Sequence, residues 1–395
     1  MSALPDLFLN KREERRIRAG HLWVYSNEVN VKRSPLKSFS AGQLVNVRNH
    51  SGQALGTAYV NPTTLIAARI LDRRDDVDIN QAWFEHRLGR ALALREAHFE
   101  HPCYRLCHSE GDGLPGLIVD RFGSTLVVQC NTAGMDKHRE VIATVLKKLC
   151  AASGILWRNN NSARKLEGLS LEDEIDGDVP DVVQLTENGL QFQADLRSGQ
   201  KTGWYFDHRD NRRWTAGWVK GASVLDVFSY AGAWSVLAAS EGATEVMAVD
   251  ASESALQTLK QNMSLNNIRT PYLTLQGDAF DRLRDLKGQG RQFDVIIVDP
   301  PAFIKRRKDM QAGKQAYFKI NQLAIELLTP GGLLVSASCS HHFSLEQLRE
   351  TVSNAAQTLK RDSQIIHETY HAVDHPIHPA MPETRYLKTQ IARVF

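Results

Sequence analysis

Cysteine is scarce, with five residues in a chain of 395. That is too few for a disulfide scaffold, so each thiol is either buried filler or chemistry. No apolar run approaches the roughly 18 residues of a membrane-spanning helix. The opening MSALPDLFLNKREERRIRAG turns charged before a secretory core could form, which predicts a cytoplasmic protein with no membrane partner. Repeats and low-complexity tracts are missing. A 42% hydrophobic and 24% charged composition excludes chain-wide disorder. Net charge is also small, +3 from 48 Lys/Arg and 45 Asp/Glu. Its distribution is uneven. Residues 1–72 hold ten Lys/Arg against five Asp/Glu, a weak pointer to a polyanionic partner.

The length predicts two or three domains. In residues 1–72, Leu44–Asn49 alternates apolar and polar, His50-Ser51-Gly52 reads as a hairpin turn, and Gln53–Asn61 and Leu65–Leu71 read as further strands. This predicts a small β-rich module. Residues 73–183 read as a mixed α/β module with helices at Ala82–Ala97 and Met135–Cys150 and strands LIVD, TLVVQC and Gly154–Arg158. Residues 184–395 alternate strand and helix. Strands at Val224–Phe228, Glu245–Asp250, Leu273–Asp278, Phe293–Pro301 and Leu333–Ser340 are separated by helices at Trp234–Glu241, Ser252–Asn266, Tyr317–Leu328 and Leu345–Leu359, with a short helix after Asp278. The pattern predicts an α/β class, with a doubly wound, mostly parallel sheet.

In such sheets ligands bind beyond the carboxyl ends of the strands. The first strand-to-helix loop, DVFSYAGAWS (Asp226–Ser235), lacks the G-x-G-x-x-G that brings backbone against a pyrophosphate. Its single glycine, Gly232, lies between small Ala231 and Ala233, so the loop allows close approach of a smaller ligand. Asp250 ends the next strand, where a carboxylate can accept from two ribose hydroxyls. Asp278 ends the third, within reach of an adenine amino group. Ribose and adenine contacts without a pyrophosphate loop favour S-adenosyl-L-methionine over NAD, although aspartates at strand ends also cap helices and turns.

Asp299-Pro300-Pro301-Ala302-Phe303 ends the fourth strand. Two prolines can neither continue a ladder nor fill a helix interior. They make a stiff turn that can present Asp299 to a flat substrate, with Phe303 available to stack on a base; the bland reading is a simple strand-to-loop turn. Cys339, in SASCSHH, ends the next strand and is expected to face the same pocket. A strand-end cysteine is commonly buried filler, but Ser338, Ser340, His341 and His342 are unlike apolar-core neighbours. A pocket thiol beside a methyl donor suggests covalent catalysis on a pyrimidine. C5 of cytosine is a poor nucleophile until a thiolate adds at C6. An acid at Asp299 would favour that addition from beside N3.

At these residues the chain resembles bacterial 23S rRNA (cytosine-C5)-methyltransferases that carry an N-terminal PUA domain. The matching segments are GHLWVYSNEV (Gly20–Val29), EGDGLPGLIVDRFG (Glu110–Gly123), RKLEGL (Arg164–Leu169), GQKTGWYFDHRDNR (Gly199–Arg212), DVFSYAGAWS, DPPAF, SCS and DHPIHPAMPETRYLK (Asp374–Lys388). KTGxYxDxR is the most specific, but it also occurs in a related guanine-N7 methyltransferase. The resemblance implies a PUA domain over about 1–72, a Rossmann-like methyltransferase domain, a Cys339 nucleophile and 23S rRNA or its precursor as partner. It also implies that Thr202, Tyr205 and Asp207 lie beside the cofactor, where the reading of the loop and strand ends already places Asp226, Phe228, Ser229, Tyr230, Gly232, Asp250 and Asp278. The wider RNA cytosine-C5 class has a second cysteine where this chain has Ala302, so release must use another base or water. A guanine-N7 methyltransferase and a non-catalytic RNA-binding protein remain the alternatives at this point, and a homodimer is left open.

Three weaker signals complete the reading. Lys305-Arg306-Arg307-Lys308 follows DPPAF, and Arg306 and Arg307 are candidate RNA contacts together with Phe303; Arg209, Arg212 and Arg213 would extend that surface. Trp23 and Tyr25 could stack on bases or pack within the small β domain. His101, Cys103, Cys107 and His108 form H-x-C-x3-C-H, but zinc sites pair their cysteines in two sets. Packing and no metal are expected.

Overall fold

The computed structural model describes residues 3–197, 199 and 202–395. Gln200 and Lys201, at the head of the KTGxYxDxR segment, lie outside the described residues. The chain forms two compact units. The first runs up to Asp181 and also takes in Thr202 and Val373–Thr384; the second comprises Val182–Gly199, Gly203–Ala372 and Arg385–Phe395.

The first unit contains two sheets. Strands β1 (Asp6–Phe8), β2 (Trp23–Tyr25), β3 (Gln43–Arg48), β4 (Ala54–Val60) and β5 (Ile66–Asp72) lie in the order β1-β3-β4-β5-β2. The three strands expected from alternation are β3 to β5. Val24, Val45, Ala58 and Ile70 fill the core beneath them, joined from far along the chain by Met381. The Leu22 N–H donates to the Met381 sulfur at 3.3 Å. The second sheet has the order β10-β9-β8-β7-β6, from β6 (Cys103–His108), β7 (Leu117–Phe122), β8 (Thr125–Cys130), β9 (Gly154–Trp157) and β10 (Glu174–Gly177). The helix expected over Met135–Cys150 is two helices, Ala133–Lys137 and Arg139–Cys150, broken at His138. Cys107, Cys130 and Cys150 are core residues of this sheet. Of the H-x-C-x3-C-H residues, Cys103, Cys107 and His108 are buried in β6, and His101 is exposed before it. Asp374 is tied here as well: Arg95 donates to its carbonyl oxygen at 2.6 Å and the Arg105 N–H to its carboxylate at 3.0 Å.

The second unit opens with a hairpin, β11 (Val182–Glu187) and β12 (Leu190–Asp195). Its main sheet is built from β13 (Ser223–Val227), β14 (Glu245–Asp250), β15 (Tyr272–Gln276), β16 (Phe293–Val298), β17 (Leu328–Ser338), β18 (Ser363–Thr369) and β19 (Lys388–Val394). The order is β15-β14-β13-β16-β17-β19-β18. The first five strands are parallel, and β19 enters antiparallel between β17 and β18. Buried on both faces, β13 and β16 read as near-continuous apolar runs, as central parallel strands do. The helix Met310–Glu326 starts seven residues before the expected Tyr317. Gly313 lies in the added first turns of this helix. In the structure its missing Cβ admits Ile304, whose side chain would lie 2.2 Å from such an atom. Neither β18 nor β19 was expected from the sequence.

Arg361 fastens this end of the sheet. Its guanidinium donates to the carbonyl oxygens of Ile325 and Leu328 at 2.7 Å, Thr329 and Val394 at 2.9 Å, and Phe395 at 3.1 Å. It thereby joins the last turn of helix Met310–Glu326 to β17 and β19. Arg361→Met should lower the urea midpoint by an amount corresponding to about 1–3 kcal/mol, since charge-assisted hydrogen bonds to carbonyls are lost. An unchanged midpoint at unchanged slope would show that the fastening is redundant.

Candidate active site

The loop after β13 is held in an unfavourable backbone conformation. Phe228, Tyr230 and Gly232 have φ of +69°, +48° and +82°. Two of these are not glycine, and such residues persist only where surrounding contacts over-determine them. Here those contacts come from β14 and the helix Glu253–Leu265. The Val249 carbonyl accepts from the N–H groups of Phe228 and Ser229 at 2.9 and 3.1 Å. Asp250 Oδ2 accepts the Tyr230 N–H at 2.8 Å, and its Oδ1 accepts that of Ser252 at 2.8 Å. Asn262 donates to the Ala231 carbonyl at 2.9 Å. A Cβ at Gly232 would stand 2.4 Å from Leu259, so glycine is needed there for space as well as for φ.

Asp226 is fully enclosed within β13. Its Oδ2 accepts the Ser235 hydroxyl at 2.6 Å, and its Oδ1 has no partner among the described residues. It therefore supports the loop from below. Burial pushes its carboxyl up to about 7; Ser235 partly offsets this, and the charges of Asp299 and Asp250 reinforce it. Asp278 stands beyond the end of β15 and caps the helix Ala279–Gly288, its Oδ1 accepting from Phe280 and Asp281 at 2.9 and 3.2 Å. Thr202 is buried and belongs to the first unit.

The remainder of the KTGxYxDxR segment is built around a buried carboxylate at the end of β11. Glu187 pairs with Arg212 at 2.6 Å and Arg209 at 3.5 Å, and accepts the Trp204 indole N–H at 3.0 Å. Arg209 and Arg212 are thus interior residues and not part of an RNA-facing surface. Arg213 is exposed and lies 3.9 Å from Glu241. Asp207 accepts the Tyr386 hydroxyl at 2.6 Å. Tyr205 packs edge-on against Tyr230 with centroids 5.3 Å apart. Burial raises the Tyr205 phenol, and Tyr230, Asp207, Asp299 and Cys339 raise it further, which places all four within electrostatic reach of one hydroxyl.

His208, inside the same segment, was missed in the sequence. Its Nε2 lies 3.1 Å from Asp299 Oδ1. Asn211 fixes the tautomer: its amide nitrogen faces the Tyr370 carbonyl at 3.1 Å, an acceptor only, and also faces His208 Nδ1 at 3.1 Å. Nδ1 therefore accepts, and Nε2–H donates to Asp299. Thr389 Oγ1 on β19 lies 3.0 Å from the same amide nitrogen. The chain holds Asp299 through a histidine whose ring is itself held.

Cys339 follows β17 directly. Its Sγ lies 3.9 Å from the Pro300 carbonyl oxygen, so the thiol and the DPP turn meet. The flanking serines, polar neighbours unlike those of an apolar-core cysteine, are themselves interior. Ser338 and Ser340 are fully buried, each bound to the Tyr317 hydroxyl at 2.8 Å, and Ser340 Oγ accepts the Ile304 N–H at 3.1 Å. They lock β17 to the loop after Phe303 and leave Cys339, between them, half-buried. Phe303 is part of an aromatic cluster, with centroids 4.9 Å from Tyr317, 6.2 Å from Phe280 and 6.4 Å from Phe228. Arg306 and Arg307 are exposed, and the Arg306 guanidinium lies 4.0 Å from Asp309.

Asp226 yields a pH-dependent outcome. Its folded pKa of about 7 exceeds the unfolded value of roughly 4, so the folded state holds the extra proton between them. Stability from this group is present at low pH and falls as pH rises towards 7. Asp226→Asn preserves the Ser235 contact without an ionisable group. Its stability relative to wild type should climb from about pH 4 to about pH 7 and level off above, in denaturant melts across pH. A constant difference would mean that Asp226 does not titrate in this range.

Comparison with known proteins agrees with this architecture. Residues 7–73 match a family described as PUA-like domain, and residues 158–369 match one described as S-adenosylmethionine-dependent methyltransferase. A protein of Shewanella amazonensis named Ribosomal RNA large subunit methyltransferase I is 36% identical over 98% of this chain and 98% of its own. The protein of that name from Klebsiella pneumoniae is 35% identical over 100% of this chain and 99% of its own. Among solved structures, a candidate methyltransferase from Streptococcus mutans aligns over 99% of this chain and 100% of its own at TM-score 0.83 and 20% identity. A second, solved with S-adenosylhomocysteine, gives 0.84 at 20% identity over the same shares. At that identity the two structures speak for the fold, a class I methyltransferase fold. The full-length relatives and the domain match together show that the chain belongs to the ribosomal RNA large subunit methyltransferase I family, whose cofactor is S-adenosyl-L-methionine.

Proposed function

We propose that the protein transfers a methyl group from S-adenosyl-L-methionine to C5 of a cytosine in 23S ribosomal RNA, or in a large-subunit precursor, through a covalent bond to Cys339. The observation that carries this reading is the meeting of the Cys339 thiol with the DPP turn, 3.9 Å from the Pro300 carbonyl, while His208 holds Asp299 on the same turn. An rRNA substrate implies a cytoplasmic site of action. The basic N-terminal residues and the PUA-like match support an RNA partner.

The residues present fit the cofactor. Ser229 Oγ, in the strained loop, is buried with no partner among the described residues. Asp250 uses one lone pair on each oxygen for the backbone, which leaves the others for ribose hydroxyls. Tyr205, Asp207, Phe228, Tyr230, Gly232 and Asp278 surround or support that loop in this reading, with Asp226 beneath it. Asp250→Ala should weaken cofactor binding by about 1–3 kcal/mol, by loss of charge-assisted hydrogen bonds and of the Tyr230 clamp. Unchanged calorimetric affinity in the folded variant would remove Asp250 from the site.

The bound cofactor supplies an electrophilic methyl group. The chain does the rest. The target base must leave any stack to reach the thiol. Cys339 Sγ, as thiolate, bonds to C6, and the displaced electron pair makes C5 nucleophilic. Asp299, with Oδ1 bound to His208, acts in this step as the carboxylic acid: its Oδ2–H donates to N3, where negative charge builds. After methylation C5 loses its proton to water or another base, the electron pair of the S–C6 bond returns to sulfur as that bond breaks, and the ring regains aromaticity. Arg306 and Arg307 are assigned to backbone phosphates, and Phe303 to the floor beneath the base.

With 5-fluorocytosine in the target RNA, C5 carries fluorine in place of a removable proton, so elimination is blocked. Methylated RNA should then remain attached to the protein through a denaturing gel. Cys339→Ala should abolish both adduct and turnover while still binding cofactor, whereas alanine at Cys103, Cys107, Cys130 or Cys150 should preserve the adduct. Methylation by Cys339→Ala at a rate near wild type would sink the covalent reading and favour guanine-N7.

A further inference from the structure

Lys388 is a buried lysine that the reading above leaves without a task. It opens β19 directly opposite Ser338, the residue before the thiol. Its Nζ donates to the carbonyl oxygen of Ser340, the residue after the thiol, at 2.7 Å, and to that of Tyr386 at 2.7 Å. The lysine therefore brackets Cys339 from the neighbouring strand. It is only 4% exposed. Carbonyl oxygens are its only hydrogen-bond partners among the described residues, and no carboxylate pairs with it. A buried ammonium that lacks an opposing charge is costly and is normally paired.

We propose that Lys388 is the positioning residue that supplies the counter-charge for the Cys339 thiolate. Other charged and titratable groups lie around the pair, and His341 and His342 follow the thiol in sequence. Arg385 is a second cation on the Lys388 side. Tyr205 and Tyr317 face Cys339, and burial raises both phenols, so they stay uncharged near neutrality. Asp299 is met by the His208 N–H, and Asp207 by the Tyr386 hydroxyl. Burial lowers the Lys388 amine to about 8, while Cys339 pulls it upward, the sign expected of a thiolate–ammonium pair. An electropositive partner is the usual means of holding a cysteine as its reactive thiolate.

The inference rests on Cys339 being the reactive thiol, but its test needs neither RNA nor methyl transfer. The rate of iodoacetamide alkylation of the full-length protein is followed against pH. The other cysteines are buried, and burial pushes the thiols of Cys107, Cys130 and Cys150 upward, so Cys339 dominates; Cys339→Ala supplies the blank. Lys388→Met should move the alkylation midpoint up by about one pH unit or more, and Lys388→Arg should restore it towards wild type. A folded Lys388→Met protein with the wild-type midpoint would overturn the proposal and leave Lys388 as a fastener of two carbonyls. If that variant does not fold, the reciprocal measurement decides. In Cys339→Ala, the Lys388 Cε resonance of labelled protein should titrate at lower pH than in wild type, and an unmoved titration would overturn the pairing. A shifted alkylation midpoint combined with no fluorocytosine adduct would retain the ion pair while refuting the C5 chemistry.

Discussion

The antiparallel insertion of β19 between β17 and β18 is the constraint on which the candidate site depends. Without it β17 would have an open edge, and the turn that carries Cys339 would have a neighbour on one side only. With it, two consecutive residues of β19 reach the chemistry by different routes. Lys388 holds the carbonyl after the thiol. Thr389 meets the amide of Asn211, which sets the ring of His208, which holds Asp299. One register shift would exchange the faces of these two side chains and disconnect both. Arg361, bonded to carbonyls on β17 and β19 alike, protects that register from the far end.

Part of the polar interior around these strands is bonded through shared hydroxyls, while Asp226 Oδ1 and Ser336 Oγ have no partner among the described residues. Tyr317 OH serves Ser338 and Ser340 together, and Ser235 serves Asp226. Such networks stiffen a core when complete, and leave costly orphans when one member is lost. The loop from Phe228 to Gly232 stores backbone strain, and the same β14 terminus that ends in Asp250 contains it. A residue that clamps its own binding loop couples cofactor contact to loop shape, so losses at Asp250 will not separate cleanly into the two.

Much of the parallel core was legible, because central strands buried on both faces are apolar runs and their helices alternate with them. Cys339 and Asp299 were legible for a different reason: prolines and a polar-flanked cysteine at successive strand ends are chemically unusual. The serines beside that cysteine are polar for another reason than a pocket, since their hydroxyls are bound to Tyr317 in the interior. His208 was hidden within a segment read only for the cofactor. β19 was hidden because its first three residues, Lys388, Thr389 and Gln390, are polar yet buried. Hydrophobic periodicity cannot find a strand whose buried side is built from hydrogen bonds. Arg209 and Arg212 misled in the opposite sense, because a cationic pair near a signature looks like a phosphate contact until Glu187, over twenty residues upstream, is seen to hold both.

The segment Val373–Thr384 belongs to the first unit, although β18 before it and β19 after it belong to the second. Met381 sits in the core under β1 to β5, and Asp374 is bound by Arg95 and Arg105. Domains usually complete themselves in the order in which they leave the ribosome. In this chain, the N-terminal core must wait for residues more than 350 positions downstream before its last gap is filled. The early modules therefore remain unfinished throughout synthesis of the catalytic sheet, and both units close within the final two dozen residues.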